Sequence, residues 1–232
     1  MIALEHVTFG YEEMEMRFDA QFPSSSFTAV IGPSGGGKST LLNLIAGFEA
    51  PESGRVLIDG ADVTALPPDQ RPVSMIFQDN NVFAHLDLWQ NVALGIAPSL
   101  RLDADQKRRV DSALVDVGLG ALMRRRPGEV SGGERQRVAV ARALLRDRPV
   151  LLLDEPFAAL GPALRRDMLD LVKAMSQDRH LTTVMVTHQP EDALAAASHT
   201  AYLENGHIVA LRPTAELFAA RDLPGLKAYL GT

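Results

Sequence analysis

Apolar residues recur with two different spacings along this chain of 232 residues. Alternating or short continuous apolar runs are typical of strands, and they predict strands at residues 2–9, 27–31, 55–58, 73–77, 150–153, 182–187, 200–203 and 208–211. Apolar positions three and four residues apart are typical of helices, and they predict helices at residues 39–48, 88–94, 103–117, 133–146, 163–177 and 191–197. Together these patterns predict an α/β fold.

The order of the two patterns predicts how the chain is organised. A β-rich beginning is followed by alternating strands and helices, the pattern is helical from about residue 79 to residue 149, and strands then return. We therefore predict one domain over residues 1–232, with a β-rich core at residues 1–78 and 150–232 and a smaller helical subdomain at about 79–149.

Composition excludes several classes of function. The sequence contains no cysteine, which rules out disulfides and fits a reducing compartment. A net charge of −6 argues against nucleic acid as the main ligand. The beginning of the chain has no signal-peptide pattern, and its apolar runs are too short to span a membrane. We expect a soluble cytosolic protein whose membrane role, if any, comes from a partner.

A glycine-rich loop lies between a predicted strand and a predicted helix, which is the context of a P-loop. Glycines let backbone N–H groups turn toward phosphate oxygens, and the helix N-terminus favours negative charge. We expect Lys38 to reach the β- and γ-phosphates and Ser39 to bind Mg²⁺. The candidate nucleotide-binding residues are Gly32, Pro33, Ser34, Gly35, Gly36, Gly37, Lys38, Ser39 and Thr40. The alternative is a glycine-rich turn without a ligand, which the flanking elements disfavour.

Two acidic residues follow the apolar run at residues 150–153, at the end of a predicted buried strand. Ligands bind at the carboxyl ends of parallel strands. We therefore expect Asp154 to hold Mg²⁺ and Glu155 to orient or deprotonate the attacking water. An Asp-Glu pair in isolation would be a surface pair, but the P-loop favours the catalytic interpretation.

A second glycine-rich segment, Ser131-Gly132-Gly133-Glu134, opens an apolar helix. A helix N-terminus attracts anions, so the segment suggests that a second copy of the chain also contacts the nucleotide. Ser131 is also expected to cap the helix, which is the plainer interpretation.

With these motifs in order, the chain resembles the nucleotide-binding subunit of ATP-binding cassette (ABC) transporters. The resemblance rests on residues 32–40, Gln78 after its strand, residues 131–137, residues 151–156, and Thr187-His188. It implies a P-loop NTPase core of the RecA-like type, with an N-terminal antiparallel β subdomain and an inserted α-helical subdomain that carries the signature motif. It also implies ATP hydrolysis with Mg²⁺, and a homodimer in the ATP-bound state.

The resemblance also assigns roles to single residues. It implies that Ser131, Gly132, Gly133 and Glu134 form the signature loop, in which Ser131 and Gly133 contact the γ-phosphate bound by the opposite protomer. This would be anion binding at a helix N-terminus supplied by a partner.

Three further assignments come from the resemblance. Gln78 is similar to the glutamine that contacts Mg²⁺ or the attacking water, although such a residue alone would be a surface amide. His188 is similar to the switch histidine that senses the γ-phosphate, although a lone histidine is more often structural. Tyr11 is similar to the aromatic residue that stacks on adenine, with plain packing as the alternative.

One position departs from the family pattern. Members usually carry Asp at the end of the turn that follows the catalytic Glu, where this chain has Gly161. That carboxylate normally helps to couple the two sites of the dimer. We therefore predict an intact fold and ATP binding but weaker communication between the sites.

Within the family, three segments are similar to the ATPases of bacterial thiamine importers: residues 41–48, 71–75 and 78–86. The last segment, Gln78 to Leu86, lies where family members dock transmembrane permease subunits, and an apolar and aromatic cluster suits a partner helix. The alternative is that Val82, Phe83 and Leu86 are ordinary core. The resemblance implies peripheral attachment to the cytoplasmic face of the inner membrane, and a periplasmic solute-binding protein as an indirect partner.

Four other functions are alternatives to thiamine import. Importers of iron, sulfate or polyamines use very similar ATPases. A non-transport cassette ATPase would usually carry tandem cassettes or long coiled coils. A small kinase or GTPase would not need the segment at residues 131–137, and base-reading motifs are absent. An assembly subunit that binds ATP without turnover is suggested only by Gly161.

Overall fold

Ten strands form a single sheet in the computed structural model, which describes residues 1–11, 14–78 and 82–231. In chain order the strands are β1 (Ile2–Tyr11), β2 (Met14–Phe22), β3 (Phe27–Ile31), β4 (Ser53–Ile58), β5 (Ala61–Asp62), β6 (Val73–Ile76), β7 (Val150–Asp154), β8 (Thr182–Val186), β9 (His199–Glu204) and β10 (His207–Pro213). Their spatial order is β5-β4-β1-β2-β10-β9-β3-β8-β7-β6. The first strands along the chain thus extend the same sheet that carries the P-loop.

Eight α-helices surround this sheet within the described residues. They are α1 (Lys38–Ala46), α2 (Leu88–Ala93), α3 (Ala104–Asp116), α4 (Gly132–Leu145), α5 (Pro162–Asp178), α6 (Pro190–Ala196), α7 (Thr214–Phe218) and α8 (Pro224–Leu230). The three helices of the predicted helical segment are capped by the residues that precede them, Asp87, Asp103 and Ser131. Each N-cap residue forms a capping box with the residue three positions later. These reciprocal bonds satisfy backbone donors that would otherwise lack partners.

The parallel part of the sheet positions the predicted chemistry. Strands β9, β3, β8, β7 and β6 run parallel to one another, and most of their residues are buried and apolar. Parallel strands buried on both faces read as continuous apolar runs, which is why the sequence predicted them well. Their carboxyl ends meet at one edge, where the P-loop and the carboxylates lie together.

Two apolar cores lie on opposite faces of this parallel part. One contains α2, α3, α4 and α5 together with side chains of the strands, such as Ile76, Leu151 and Leu153. The other contains α1, the antiparallel strands and the alternating strand residues, such as Leu152 and Val184. The helical segment therefore packs directly on the sheet, and the predicted α/β fold with inserted helices is confirmed.

Arg71 fixes the end of α1. Its side chain is buried, and its guanidinium donates to the carbonyls of Leu44, Ile45, Thr64 and Leu66 at 2.7–3.0 Å. The last carbonyls of a helix lack partners within the helix, and the planar fork of an arginine can satisfy several acceptors at once. Arg71 thereby anchors the helix that follows the P-loop.

Candidate active site

The glycines of the P-loop are required by its backbone path from β3 to α1. Gly32 has φ +148°, and a Cβ there would lie 1.9 Å from the carbonyl oxygen of Leu203. Gly37 precedes α1 with φ +102°, which is also a left-handed conformation. Glycine adopts such angles without strain. The loop can therefore bring its backbone close to β9 and present N–H groups in a cradle, as the sequence predicts.

Lys38 lies within this loop. Its ammonium nitrogen donates to the carbonyl oxygens of Gly32 at 3.0 Å and Pro33 at 2.7 Å, and the side chain is largely buried. Burial lowers the pKa of Lys38, while the negative charges of Glu155 and Asp154 oppose that shift. The structure thus gathers the predicted lysine and both predicted carboxylates in one electrostatic environment.

Ser39 and Asp154 meet at the end of β7. The hydroxyl of Ser39 donates to Oδ1 of Asp154 at 3.0 Å. Burial raises the pKa of Asp154, and the bond from Ser39 opposes this rise. Hydroxyl and carboxylate oxygens are hard ligands of the kind that Mg²⁺ takes in nucleotide sites, usually together with waters and phosphates. The donor set therefore fits a magnesium ion beside the P-loop.

Glu155 and His188 face each other just beyond the ends of the neighbouring strands β7 and β8. Nε2 of His188 lies 2.5 Å from Oε1 of Glu155, and both side chains reach solvent. Glu155 has φ +45°, a conformation that a non-glycine residue adopts at a cost of roughly 1–3 kcal/mol. Its backbone N–H donates to the carbonyl of Val186, which fixes the turn to β8. The two predicted catalytic residues are thus adjacent.

The backbone around His188 is held by a buried carboxylate that sequence reasoning missed. The Thr187 hydroxyl donates to Oδ2 of Asp192 at 2.7 Å and accepts from the backbone N–H of Gln189 at 3.1 Å. Burial raises the pKa of Asp192, and the bond from Thr187 opposes it. The available signal for Asp192 was its spacing, since it follows Thr187-His188 by about one helical turn.

The turn after Glu155 is held from two helices. The amide of Gln136 on α4, which is buried, donates to the carbonyl of Pro156. The guanidinium of Arg165 on α5 donates to the carbonyls of Phe157 at 3.2 Å and Ala158 at 3.1 Å. Neither contact could be predicted from local sequence, because each joins residues of different elements.

Ser131 caps α4 as predicted. Glu134 accepts from the backbone N–H of Ser131 at 2.7 Å and from its hydroxyl at 2.8 Å, and these bonds lower the pKa of Glu134. Gly133 is close to α5: a Cβ there would lie 2.6 Å from Cδ2 of Leu164, so a larger residue would require that side chain to shift. Within the described part of the chain, no hydrogen bond or ion pair joins this segment to the P-loop. Its predicted role toward a nucleotide bound by another copy stays a prediction.

Two further predicted residues are exposed. Tyr11 is 58% exposed at the end of β1, which leaves its ring free to stack on a ligand. Gln78 is exposed just after β6. Asp79, Asn80 and Asn81, which belong to the predicted docking segment, lie outside the described residues.

A groove of 530 Å³ opens beside the described end of that segment. Its walls come from β6 and α4 and from the chain around Phe83, whose ring is 47% exposed. The guanidinium carbon of Arg142 lies 6.0 Å from the centroid of this ring, at the limit of a cation–π contact. The groove thus combines an accessible aromatic surface with positive charge.

Comparison with known proteins places this geometry in a family. The family model described as ABC transporter matches residues 16–158. The thiamine import ATP-binding protein of Mesorhizobium japonicum is 54% identical over 99% of this chain and 91% of its own length. The protein of the same name from Salmonella paratyphi A is 49% identical over 99% of this chain and its own full length.

Solved structures agree with this placement. A dimeric ATP-binding cassette in a post-hydrolysis state with ADP and Pi superposes with a TM-score of 0.78 and 28% identity, over 92% of this chain and 99% of the other. A nucleotide-free cassette of an ABC transporter has a TM-score of 0.90 over 99% and 98% of the two chains, and at 23% identity it supports the fold. No helix in the described residues is long and apolar enough to cross a bilayer.

Proposed function

The chain belongs to the ABC transporter family, and on that premise we propose that it is the ATP-hydrolysing subunit of a bacterial importer of thiamine or thiamine phosphates. One observation carries the chemistry: the P-loop, the Ser39–Asp154 pair and the Glu155–His188 pair lie at one edge of the parallel sheet. Nucleotide sites in such sheets lie at this edge.

The P-loop residues bind and orient the phosphates of ATP. Backbone N–H groups between Ser34 and Thr40 surround the phosphate oxygens, and Lys38 neutralises charge that builds up during transfer. Ser39, Asp154 and Gln78 would hold Mg²⁺, which supplies charge neutralisation on the phosphates when bound. Because phosphoryl transfer asks for little covalent chemistry from the protein, positioning and electrostatics provide most of the catalysis.

Glu155 and His188 act on the water and on the γ-phosphate. Glu155 accepts a hydrogen bond from the attacking water and orients it, and the adjacent His188 contacts the γ-phosphate. Their 2.5 Å separation supports a shared role, because each side chain limits where the other can lie. Tyr11 completes the site by stacking on the adenine ring, which its exposure allows.

The nucleotide is shared between two copies of the chain. Ser131, Gly132, Gly133 and Glu134 begin α4, where the helix dipole and free N–H groups favour an anion. The dimeric cassettes among the similar structures, at 28% and 29% identity, support a homodimer in the ATP-bound state. Each copy thereby supplies the second half of its partner's site.

The permease docks in the groove beside Phe83. The exposed aromatic surface of the groove suits the apolar face of an amphipathic helix. This places the subunit peripherally on the cytoplasmic face of the inner membrane, with a periplasmic solute-binding protein as an indirect partner. In the assembled importer, a Phe83→Ser variant should keep the ATP affinity of the subunit but reduce solute uptake. Undiminished uptake would contradict this docking site.

Thiamine is proposed as the solute because the relatives that are 48–54% identical are named thiamine import ATP-binding proteins. The solute itself would contact the permease and the binding protein. Uptake of labelled thiamine into vesicles, measured against iron, sulfate and polyamines with the same complex, distinguishes the alternatives.

The decisive test of the ATPase is Glu155→Gln. The amide retains the size of the side chain but binds water less well as an acceptor, so ATP binding and dimerisation should persist while turnover falls at least a hundredfold. Glu191→Gln, on α6, is a matched control of the same chemistry and should keep the wild-type rate. Hydrolysis by E155Q at the wild-type rate would contradict the assignment of Glu155.

A further inference from the structure

Tyr229 reaches the edge of the site from the last helix of the chain. Its hydroxyl donates to the carbonyl oxygen of His188 at 3.2 Å. Burial raises the pKa of Tyr229, and a hydrogen bond from the backbone of Gly32 opposes this rise. The Tyr229 hydroxyl therefore binds the loop that carries the switch histidine, and its pKa is influenced by the first residue of the P-loop.

Buried anchors place this hydroxyl. On α8, Leu226 is almost fully buried, and with Leu223 it packs in a third core that includes Ile31, the residue before the P-loop. The ring of Tyr229 lies 6.1 Å from the ring of Tyr202, centroid to centroid, at an angle of 45°. Aromatic pairs at this distance attract each other. The position of the Tyr229 ring is therefore set by packing, and its hydroxyl is directed at the His188 loop.

The two loops leave different strands. Gly32 follows β3 and His188 follows β8, and these strands are neighbours in the sheet. The strand pairing ends at Val30 and Val186, and the backbone N–H of Thr187 still donates to Val30. Beyond that point the Tyr229 hydroxyl holds the His188 loop to α8, and the apolar side chains of α8 pack in one core with Ile31, just before the P-loop.

We propose that Tyr229 is a positioning residue for ATP hydrolysis, which sets the spacing between His188 and the P-loop through its hydroxyl. This inference rests on the proposed ATPase function and adds a role for the end of the chain. It differs from simple stabilisation of α8, because the ring and its apolar neighbours provide the packing while the hydroxyl holds the His188 loop.

The substitution Tyr229→Phe separates these two roles, since it removes only the hydroxyl. Hydrolysis by the full chain should show a fall of about three- to tenfold in kcat with the KM for ATP within twofold, as expected from loss of one hydrogen bond that orients a catalytic loop. Tyr202→Phe is the matched control. This variant removes the hydroxyl of the neighbouring tyrosine, which donates to Glu204 and not to the His188 loop. It should keep the wild-type kcat.

A second measurement does not depend on catalysis. In nuclear magnetic resonance spectra of the full chain, Y229F should speed hydrogen exchange of the Gly32 amide and shift the His188 imidazole resonances, and Y202F should leave both unchanged. A wild-type kcat in Y229F, or an unchanged Gly32 amide, would overturn the proposal. Absence of hydrolysis in the wild-type chain would instead contradict the proposed function, so the two failures are distinguishable.

Discussion

Placing Asp at position 161 should both stabilise the fold and strengthen communication between the two sites. Gly161 precedes α5 as its N-cap with φ −65° and ψ 159°, angles that any residue adopts, and it provides no side-chain cap. A Cβ added there would meet no atom within 4 Å. The structure therefore accepts the substitution Gly161→Asp without strain.

The stabilisation can be worked from three contributions. Removing glycine from a compatible backbone is worth about 0.4–1 kcal/mol through the unfolded chain. A carboxylate cap is worth a few tenths of a kcal/mol more than glycine, and its charge at a helix N-terminus contributes about 0.3–1 kcal/mol. We expect a net gain of about 1 kcal/mol, or a rise in Tm of roughly 2–4 °C for a chain of this length.

Thermal unfolding of G161D and G161N checks this reasoning. Asn caps as Asp does but lacks the charge, so G161N should show a smaller rise in Tm. Cooperativity of hydrolysis in the assembled dimer should increase in G161D alone, because only Asp restores the carboxylate that the family uses. Failure of both variants to raise Tm would refute the capping argument. An unchanged Hill coefficient and kcat in G161D would refute the prediction that Gly161 weakens coupling.

Two further predictions concern buried polar side chains. Arg71→Lys should reduce the free energy of unfolding by about 2–4 kcal/mol in urea titrations, because lysine cannot satisfy all the carbonyls that Arg71 holds. As a control, Arg55→Lys at an exposed position should change it by less than about 0.5 kcal/mol. Equal losses in the two variants would contradict the argument. Asp192 has a raised pKa, so the wild type should lose stability relative to Asp192→Asn as pH rises above 3.8. Parallel pH profiles would show that Asp192 titrates normally.

Local motifs made most of the candidate site predictable. A P-loop is defined by consecutive residues between a strand and a helix, so Gly32 and Lys38 could be placed from sequence. Glu155 followed a continuous apolar strand, and Ser131 was followed by Glu at capping-box spacing. In each case the physical cause lies within a few residues of the motif.

Contacts between distant segments could not be predicted. Strand β2 was included only in a β-rich region, although its residues alternate as a strand and it pairs with its neighbour β1. Helices α7 and α8 were not predicted, since helices of five and seven residues carry little periodicity. Tyr229 was missed for the same reason. Its partner His188 lies 41 positions away in sequence.

The core shared by the helical segment and the sheet limits how this chain can be recombined with its relatives. Side chains of α2, α3 and α4 pack against Ile76, Leu151 and Leu153 on one face of the strands. Interiors are close-packed, and a mismatch of even one methylene group is felt. A chimaera that exchanges only residues 82–149 therefore replaces half of an interlocking surface. Successful exchange will require the facing residues of β6 and β7 to be exchanged together with the helices.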